Sequence, residues 1–141
     1  MERAVKALLV LALLLGACTK ESVFGPPTGS VCPDEGTQLS YESFGAPFMV
    51  KYCTHCHSRS KVGNERNGAP SFHDFDTLSG IKAVHEHVDE TAAAGPDAVN
   101  EGMPDYKTPP TLEERTQLGE WIACGMPDET DIARGDNHGV P

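Results

Sequence analysis

The stretch Cys53-Thr54-His55-Cys56-His57 decides how the rest of this chain is interpreted. It has the pattern C-x-x-C-H, which is a signature of c-type haem attachment. Two thiols at this spacing can bond covalently to one porphyrin, and the histidine that follows can bind the iron. The motif therefore predicts a covalently held haem c, attached at Cys53 and Cys56, with His57 as an axial ligand.

A Cys-x-x-Cys pair has two other common uses, as the redox pair of a thioredoxin-like protein or as one half of a zinc site. The first use needs a βαβ pattern around the motif, and the second needs another closely spaced pair of ligands. The sequence contains neither. It also contains no second C-x-x-C-H, so we expect one haem per chain, which argues against a dihaem peroxidase.

The chain begins with a pattern typical of an export signal. Arg3 and Lys6 form a short basic region, and the apolar run that follows is too short to span a bilayer as a helix. The run ends in Leu-Gly-Ala-Cys, which resembles the lipobox of bacterial lipoproteins. We therefore expect residues 1–17 to be a signal peptide and Cys18 to carry the lipid.

A lipid on Cys18 would place the protein on the periplasmic side of a bacterial membrane. Thr19, which follows the cysteine, favours the outer membrane by analogy with enteric bacteria. The alternative is an ordinary secretory peptide with an incidental cysteine.

The chain is acidic, with a formal net charge of −10 at pH 7. Because nucleic acid is also strongly negative, it is excluded as a partner. An anionic lipid surface would repel the protein as well, so membrane attachment must come from the lipid anchor. We expect redox partner proteins with basic or neutral docking surfaces.

The chain has five cysteines, of which Cys32 and Cys124 have no role so far. Leftover thiols in an exported protein are more often paired than free, which predicts a Cys32–Cys124 disulfide. Such a bridge would close a loop of about 90 residues and stabilise the protein by on the order of 4 kcal/mol. The alternative is two free, inert thiols.

The remaining sequence divides into a tether, a domain and a tail. Residues 18–38 are rich in glycine and proline and are predicted to be a flexible tether. Residues 126–141 are predicted to be a polar tail. The domain between them, 39–125, is expected to be all-α, without strands.

Apolar spacing and capping residues predict three short helices in this domain, separated by long loops. The last helix has the clearest start, because Thr111 and Glu114 form a capping box. Its apolar side is expected to bury Leu112, Leu118, Trp121 and Ile122. The predicted helices cover about 43–53, 77–94 (with Asp76 as the N-cap) and 111–123.

Residues 40–125 resemble class I cytochromes c. Gly45 lies eight residues before Cys53, where that family has a small residue that lets the first helix cross the last closely. Trp121 is the aromatic residue expected at this crossing. Met49 replaces the aromatic residue that the family usually has four positions before the motif. The resemblance implies a cytochrome c fold, with three to four short helices and long loops around one haem.

The resemblance also implies the surroundings of the iron. Pro70 would offer its carbonyl to the second ring nitrogen of His57 and so orient the ring. Met103 stands in a Gly-Met-Pro loop before the last helix, where the family has its methionine ligand. Met126 stands in a second Gly-Met-Pro, after that helix, and is the alternative methionine.

Histidines offer a second alternative for the sixth ligand. His85 or His87 could give a bis-histidine iron, but residues two apart on a helix face different directions, so at most one could do so. His73 or an open position are the remaining alternatives.

Two axial protein ligands would leave the iron with no position for a substrate, and the sequence shows no other catalytic motif. The prediction is therefore an electron-transfer protein, not an enzyme. One alternative is the haem subunit of a larger membrane-associated oxidoreductase complex. A haem-based ligand sensor is another, and it would need an open or labile sixth position.

Overall fold

The computed structural model describes residues 23–105 and 108–139. The predicted signal peptide and Cys18 lie outside these residues. Within them the regular structure is helical, and the one β-type pairing is an isolated bridge between Ala94 and Val99. This agrees with the expected all-α class. No helix in the described part combines the length and the apolar character needed to cross a membrane.

The first helix leads directly into the C-x-x-C-H motif. A π-helical turn, Tyr41–Gly45, continues as α1, Ala46–Tyr52. Ser40 starts the turn, because its hydroxyl accepts from the N–H of Ser43 while the Ser43 hydroxyl accepts from the N–H of Ser40. Cys53 is therefore the first residue after α1, which ends one residue before the predicted helix end.

The middle helix of the prediction is in fact two helices, α2, Leu78–Lys82, and α3, His85–Ala92. Thr77 starts α2 by accepting from the N–H of Gly80. Val84 interrupts the helical backbone with φ −137° and ψ 28°. The long loop between α1 and α2 also contains a 3₁₀ turn, Gly63–Arg66.

The last predicted helix is confirmed as α4, Leu112–Ala123, with the Thr111–Glu114 capping box in place. Gly125 ends it with φ +81°, a left-handed conformation that glycine adopts at little cost. The expected buried side is partly wrong. Leu112 is 61% exposed, whereas Arg115 is buried beside Leu118 and Trp121.

Gly45 and Trp121 meet where the segment leading into α1 crosses α4, as the resemblance implied. A Cβ on Gly45 would lie 2.5 Å from Cη2 and Cζ2 of the Trp121 ring, which is fully buried. Met49 is also buried and belongs to the same core. The methionine thus occupies core space at the position where an aromatic residue was expected.

The tether expected over 18–38 does not extend over residues 23–38, which are held to the rest of the fold at several positions although some of their side chains, such as Val31, are exposed. Thr28 and Thr37 are 1% exposed. The Thr37 hydroxyl donates to Glu120 at 2.6 Å, across to α4. The apolar pattern misses this segment because it is held by hydrogen bonds from hydroxyl and backbone groups.

The tail expected over 126–141 is also part of the fold as far as the structure describes it. It contains α5, Glu129–Arg134, which starts with a capping box of Asp128 and Asp131. Asn137 is buried, and its amide donates to the carbonyl of Thr37 at 2.7 Å. The Asp128–Asp131 capping pair could have predicted α5 from the sequence, but the segment has too few apolar residues to show a helical pattern.

Cys32 and Cys124 are joined in a disulfide, with their Cα atoms 4.8 Å apart. The pairing expected from the cysteine count is thus the one that the structure has. It ties the N-terminal segment to the end of α4.

We expect Gly45→Ala to destabilise the protein by about 2 kcal/mol, because the added methyl group must displace the Trp121 ring from a tightly packed crossing. Urea unfolding followed by helical circular dichroism would measure the loss.

Trp121→Phe is the matched background for this change, since phenylalanine lacks the outer indole atoms that the methyl group would meet. In that background, Gly45→Ala should lower the free energy of unfolding by clearly less. An equal cost in both backgrounds would show that the crossing is not what excludes a side chain at position 45.

Alkylation of the unreduced, unfolded protein should leave Cys32 and Cys124 unmodified, because both are in the disulfide. Peptide mass spectrometry would measure the modification of each cysteine. Alkylation after reduction is the control and should label both. Two labelled thiols without reduction would contradict the pairing.

Candidate functional site

A cavity of about 350 Å³ lies beside the end of α1. Cys53, Cys56 and His57 of the motif line it. Met103 lines the same cavity from the loop before α4. The volume of the cavity falls in the usual range for small-molecule and cofactor sites. Apolar and aromatic side chains supply much of the remaining wall, among them Tyr52, Phe75, Val88 and Ala92.

The two motif thiols are unpaired and half-buried. A tight turn holds them near each other, because the N–H groups of Cys56 and His57 both donate to the carbonyl of Cys53. Burial raises the pKa of the Cys53 thiol to about 12, against the opposing charge of Arg115. Cys53 is therefore protonated at neutral pH, a form that reacts slowly in disulfide exchange.

The His57 ring stacks on Phe75, with ring centroids 4.7 Å apart and planes 12° from parallel. Burial lowers the pKa of His57, and the charges of His73 and Arg66 act in the same direction, outweighing an opposing effect of the His73 backbone. Nδ1 of His57 is buried and has no hydrogen-bond partner within the described residues. The side chain is thus a neutral imidazole, the form that binds metals.

The expected hydrogen bond between the Pro70 carbonyl and His57 is not present in the structure. The Pro70 carbonyl accepts instead from the Arg66 guanidinium and from the N–H of His73. Pro70 nevertheless lines the same cavity as His57. Pro70 therefore lies near His57, as expected, but its carbonyl accepts hydrogen bonds from other donors.

Arg66 organises the loop that follows the motif. It is 6% exposed, and its guanidinium is surrounded by backbone oxygens. Buried carbonyls need donors, and a loop without a ladder of backbone hydrogen bonds must take them from side chains. Nothing in the sequence distinguishes this arginine from a surface one. Its acceptors are the carbonyls of Ser58, Ala69, Pro70 and His73 and the carboxylate of Asp74.

Two histidines outside the motif, His73 and His87, also line the cavity, as does His55 within the motif. His73 is 7% exposed, and its Nε2 lies 3.1 Å from Nδ1 of His87. His85 is directed elsewhere, with its Nδ1 2.9 Å from the carbonyl of Lys82. Of the two helix histidines, only His87 reaches the cavity, as expected for residues two apart.

Hydrogen bonds fix the backbone of Met103 on both sides. Its N–H donates to the carbonyl of Thr91 at 2.8 Å, and its carbonyl accepts from Nη1 of Arg115 at 2.9 Å. Arg115 is 2% exposed and also donates to the carbonyls of Ala92 and Asn100. The burial of Arg115 could have been predicted from its place on the apolar side of α4, three residues before Leu118.

Met126 lies in the hydrophobic core and does not line the cavity. It is 4% exposed, and its N–H donates to the carbonyl of Trp121. The structure thus separates the two Gly-Met-Pro sequences. Met103 is the methionine that shares a cavity with the motif.

Within residues 23–105 and 108–139, no three or more histidine, cysteine, aspartate or glutamate side chains are grouped so that they could hold a metal ion. A site built from two axial side chains would not need such a group.

Comparison with known proteins yields no match to a family model, a curated protein or a solved structure. The site is therefore interpreted from its own residues.

We expect Arg66→Met to destabilise the protein by about 3 kcal/mol, because it removes a buried donor from four carbonyls and from the Asp74 carboxylate. Backbone N–H groups of the described residues also reach two of these carbonyls, those of Ser58 and Pro70, but not the other two. Thermal and urea unfolding would measure the loss.

Arg59→Met is the control, since Arg59 belongs to the same loop but is exposed. It should change stability by less than about 0.5 kcal/mol. Similar effects of the two changes would mean that Arg66 does not organise the loop.

Proposed function

We propose that this protein is a one-electron carrier with a single c-type haem, attached at Cys53 and Cys56 and ligated by His57 and Met103. The observation that carries the proposal is that the motif and Met103, 46 or more residues apart in sequence, line one cavity. With the helical fold and the Gly45–Trp121 crossing, this supports a class I cytochrome c fold.

The residues of the cavity fit such a group. The two thiols that would form thioether bonds are unpaired. His57 is neutral and has a buried nitrogen without a partner. A haem held here would supply reversible one-electron chemistry at its iron.

Each side chain has a definite part in this proposal. Cys53 and Cys56 would hold the group covalently, and the neutral imidazole of His57 would bind its iron. Met103 supplies a soft thioether, which favours the reduced state. Phe75 stacks on His57 and limits the rotation of its ring. The apolar side chains of the wall would limit the water around the group, so a change of charge there would reorganise less solvent than in an open site.

If His57 and Met103 both bind the iron, no position is left on it for a substrate. The proposed role is therefore electron transfer between partner proteins, without catalysis by this chain. The acidic chain would dock partners with basic or neutral surfaces. We further propose that a lipid on Cys18 holds the protein on the periplasmic side of a bacterial membrane.

The ligand assignment predicts different optical spectra for Met103→Leu and Met126→Leu. Both changes remove a thioether and nearly conserve volume. In the oxidised protein, the weak sulfur-to-iron charge-transfer band should vanish in Met103→Leu and persist in Met126→Leu, because only Met103 shares the cavity with His57.

Loss of the band in Met126→Leu alone would overturn the assignment. A wild-type protein with haem but without the band would point to His73 or His87 as the sixth ligand, since both line the cavity. Absence of covalent haem from the wild-type protein, measured by intact mass, would refute the proposed function itself.

A further inference from the structure

Residues 23–30, here called the strap, lie across α3 and the loop that follows it. Their backbone is fixed at three points, although the segment has no regular secondary structure. The contacts use main-chain groups of the strap, so they depend on its path more than on its sequence. They join Gly25 N–H to Glu90 O at 2.6 Å, the Asn100 side chain to Pro26 O at 2.9 Å and Asp97 N–H to Thr28 O at 2.9 Å.

A carboxylate fastens the middle of the strap. Asp89 on α3 accepts from both the N–H and the hydroxyl of Thr28, at 2.8 and 2.6 Å. Thr28 is 1% exposed, and hydrogen bonds to an ionised group are stronger than those between neutral groups. The Cys32–Cys124 disulfide holds the chain two residues after the strap ends.

The start of the strap lies against the loop that carries Met103. A Cβ on Gly102 would be 2.2 Å from the carbonyl oxygen of Val23, so the two backbones are in direct contact. Val23 and Phe24 line the same cavity as Met103. The Phe24 ring also meets the His87 ring edge to face, with centroids 5.0 Å apart.

From this arrangement we infer that the strap is a positioning element for Met103, fastened by the contact between Thr28 and Asp89. It supports the Met103 loop at Gly102 and forms the cavity wall on that side. Thr28 and Asp89 do not line the cavity themselves, so they act through the strap. The inference rests on the proposed haem ligation, in which Met103 must stay close enough to the iron to exclude external ligands.

Carbon monoxide binding to the reduced protein tests the inference, because the gas must compete with Met103 for the iron. Asp89→Ala and Thr28→Val each remove fastening hydrogen bonds without touching the cavity. Each should raise the rate of carbon monoxide binding about tenfold, since hydrogen bonds to a charged group are lost. The double variant should add little to the larger single effect, because both changes break one contact.

Two control variants separate the fastening from general damage. Thr28→Ser keeps the hydroxyl and the N–H and should bind carbon monoxide at the wild-type rate. Glu86→Ala removes an exposed carboxylate from the same helix and should also have no effect. If Asp89→Ala does not fold, Thr28→Val, which nearly conserves volume, makes the same test.

Hydrogen exchange supplies a readout that needs no haem. The amides of Gly25 and Met103, which donate to Glu90 and Thr91, should exchange faster in Thr28→Val. Faster exchange at Gly25 with unchanged carbon monoxide binding would overturn the inference, and so would unchanged exchange at Gly25. Failure of the proposed function can be told apart from failure of this inference, because the wild-type protein itself would then lack covalent haem or the sulfur-to-iron band.

Discussion

The crossing at Gly45 and Trp121 is the contact on which the rest of the structure depends. The end of α1 sets the position of Cys53, and the start of α4 sets the position of the loop that carries Met103. Since the two segments meet where a side chain larger than hydrogen would overlap the indole ring, the distance between them is closely restricted. The contact between the Gly45 backbone and the Trp121 ring therefore helps to place both ends of the candidate site.

Two buried arginines donate hydrogen bonds to backbone carbonyls that in a sheet would be bound by neighbouring strands. A chain with long loops must satisfy many backbone carbonyls without a ladder of neighbours. Arg66 does this for the loop after the motif, and Arg115 does it for the Met103 loop. Burying a guanidinium is costly unless every donor has a partner, so these loops have one favourable arrangement. That arrangement puts His57 and Met103 on the same cavity.

The features that sequence could predict are those encoded within a few residues. The C-x-x-C-H motif and the capping box at Thr111 are of this kind, and the crossing partner of Gly45 followed from a resemblance. The packing of residues 23–38 was missed because its contacts join groups about 60 to 100 residues apart through hydroxyl and backbone atoms. The partners of Arg66 and Arg115 lie only 3 to 23 residues away, but most are backbone carbonyls, which no sequence pattern marks. An arginine is also ordinarily a surface residue.

The strap also changes what a lipid on Cys18 would do. A tether over 18–38 would allow a fully extended reach of about 70 Å, so the domain could take any orientation at the membrane. Because the fold begins by Val23, the reach from Cys18 is at most about 18 Å. Val23 lines the cavity on the Met103 side, so that side would stay near the bilayer. A lipid anchor would then restrict orientation as well as location, which favours partners whose docking surfaces lie close to the membrane.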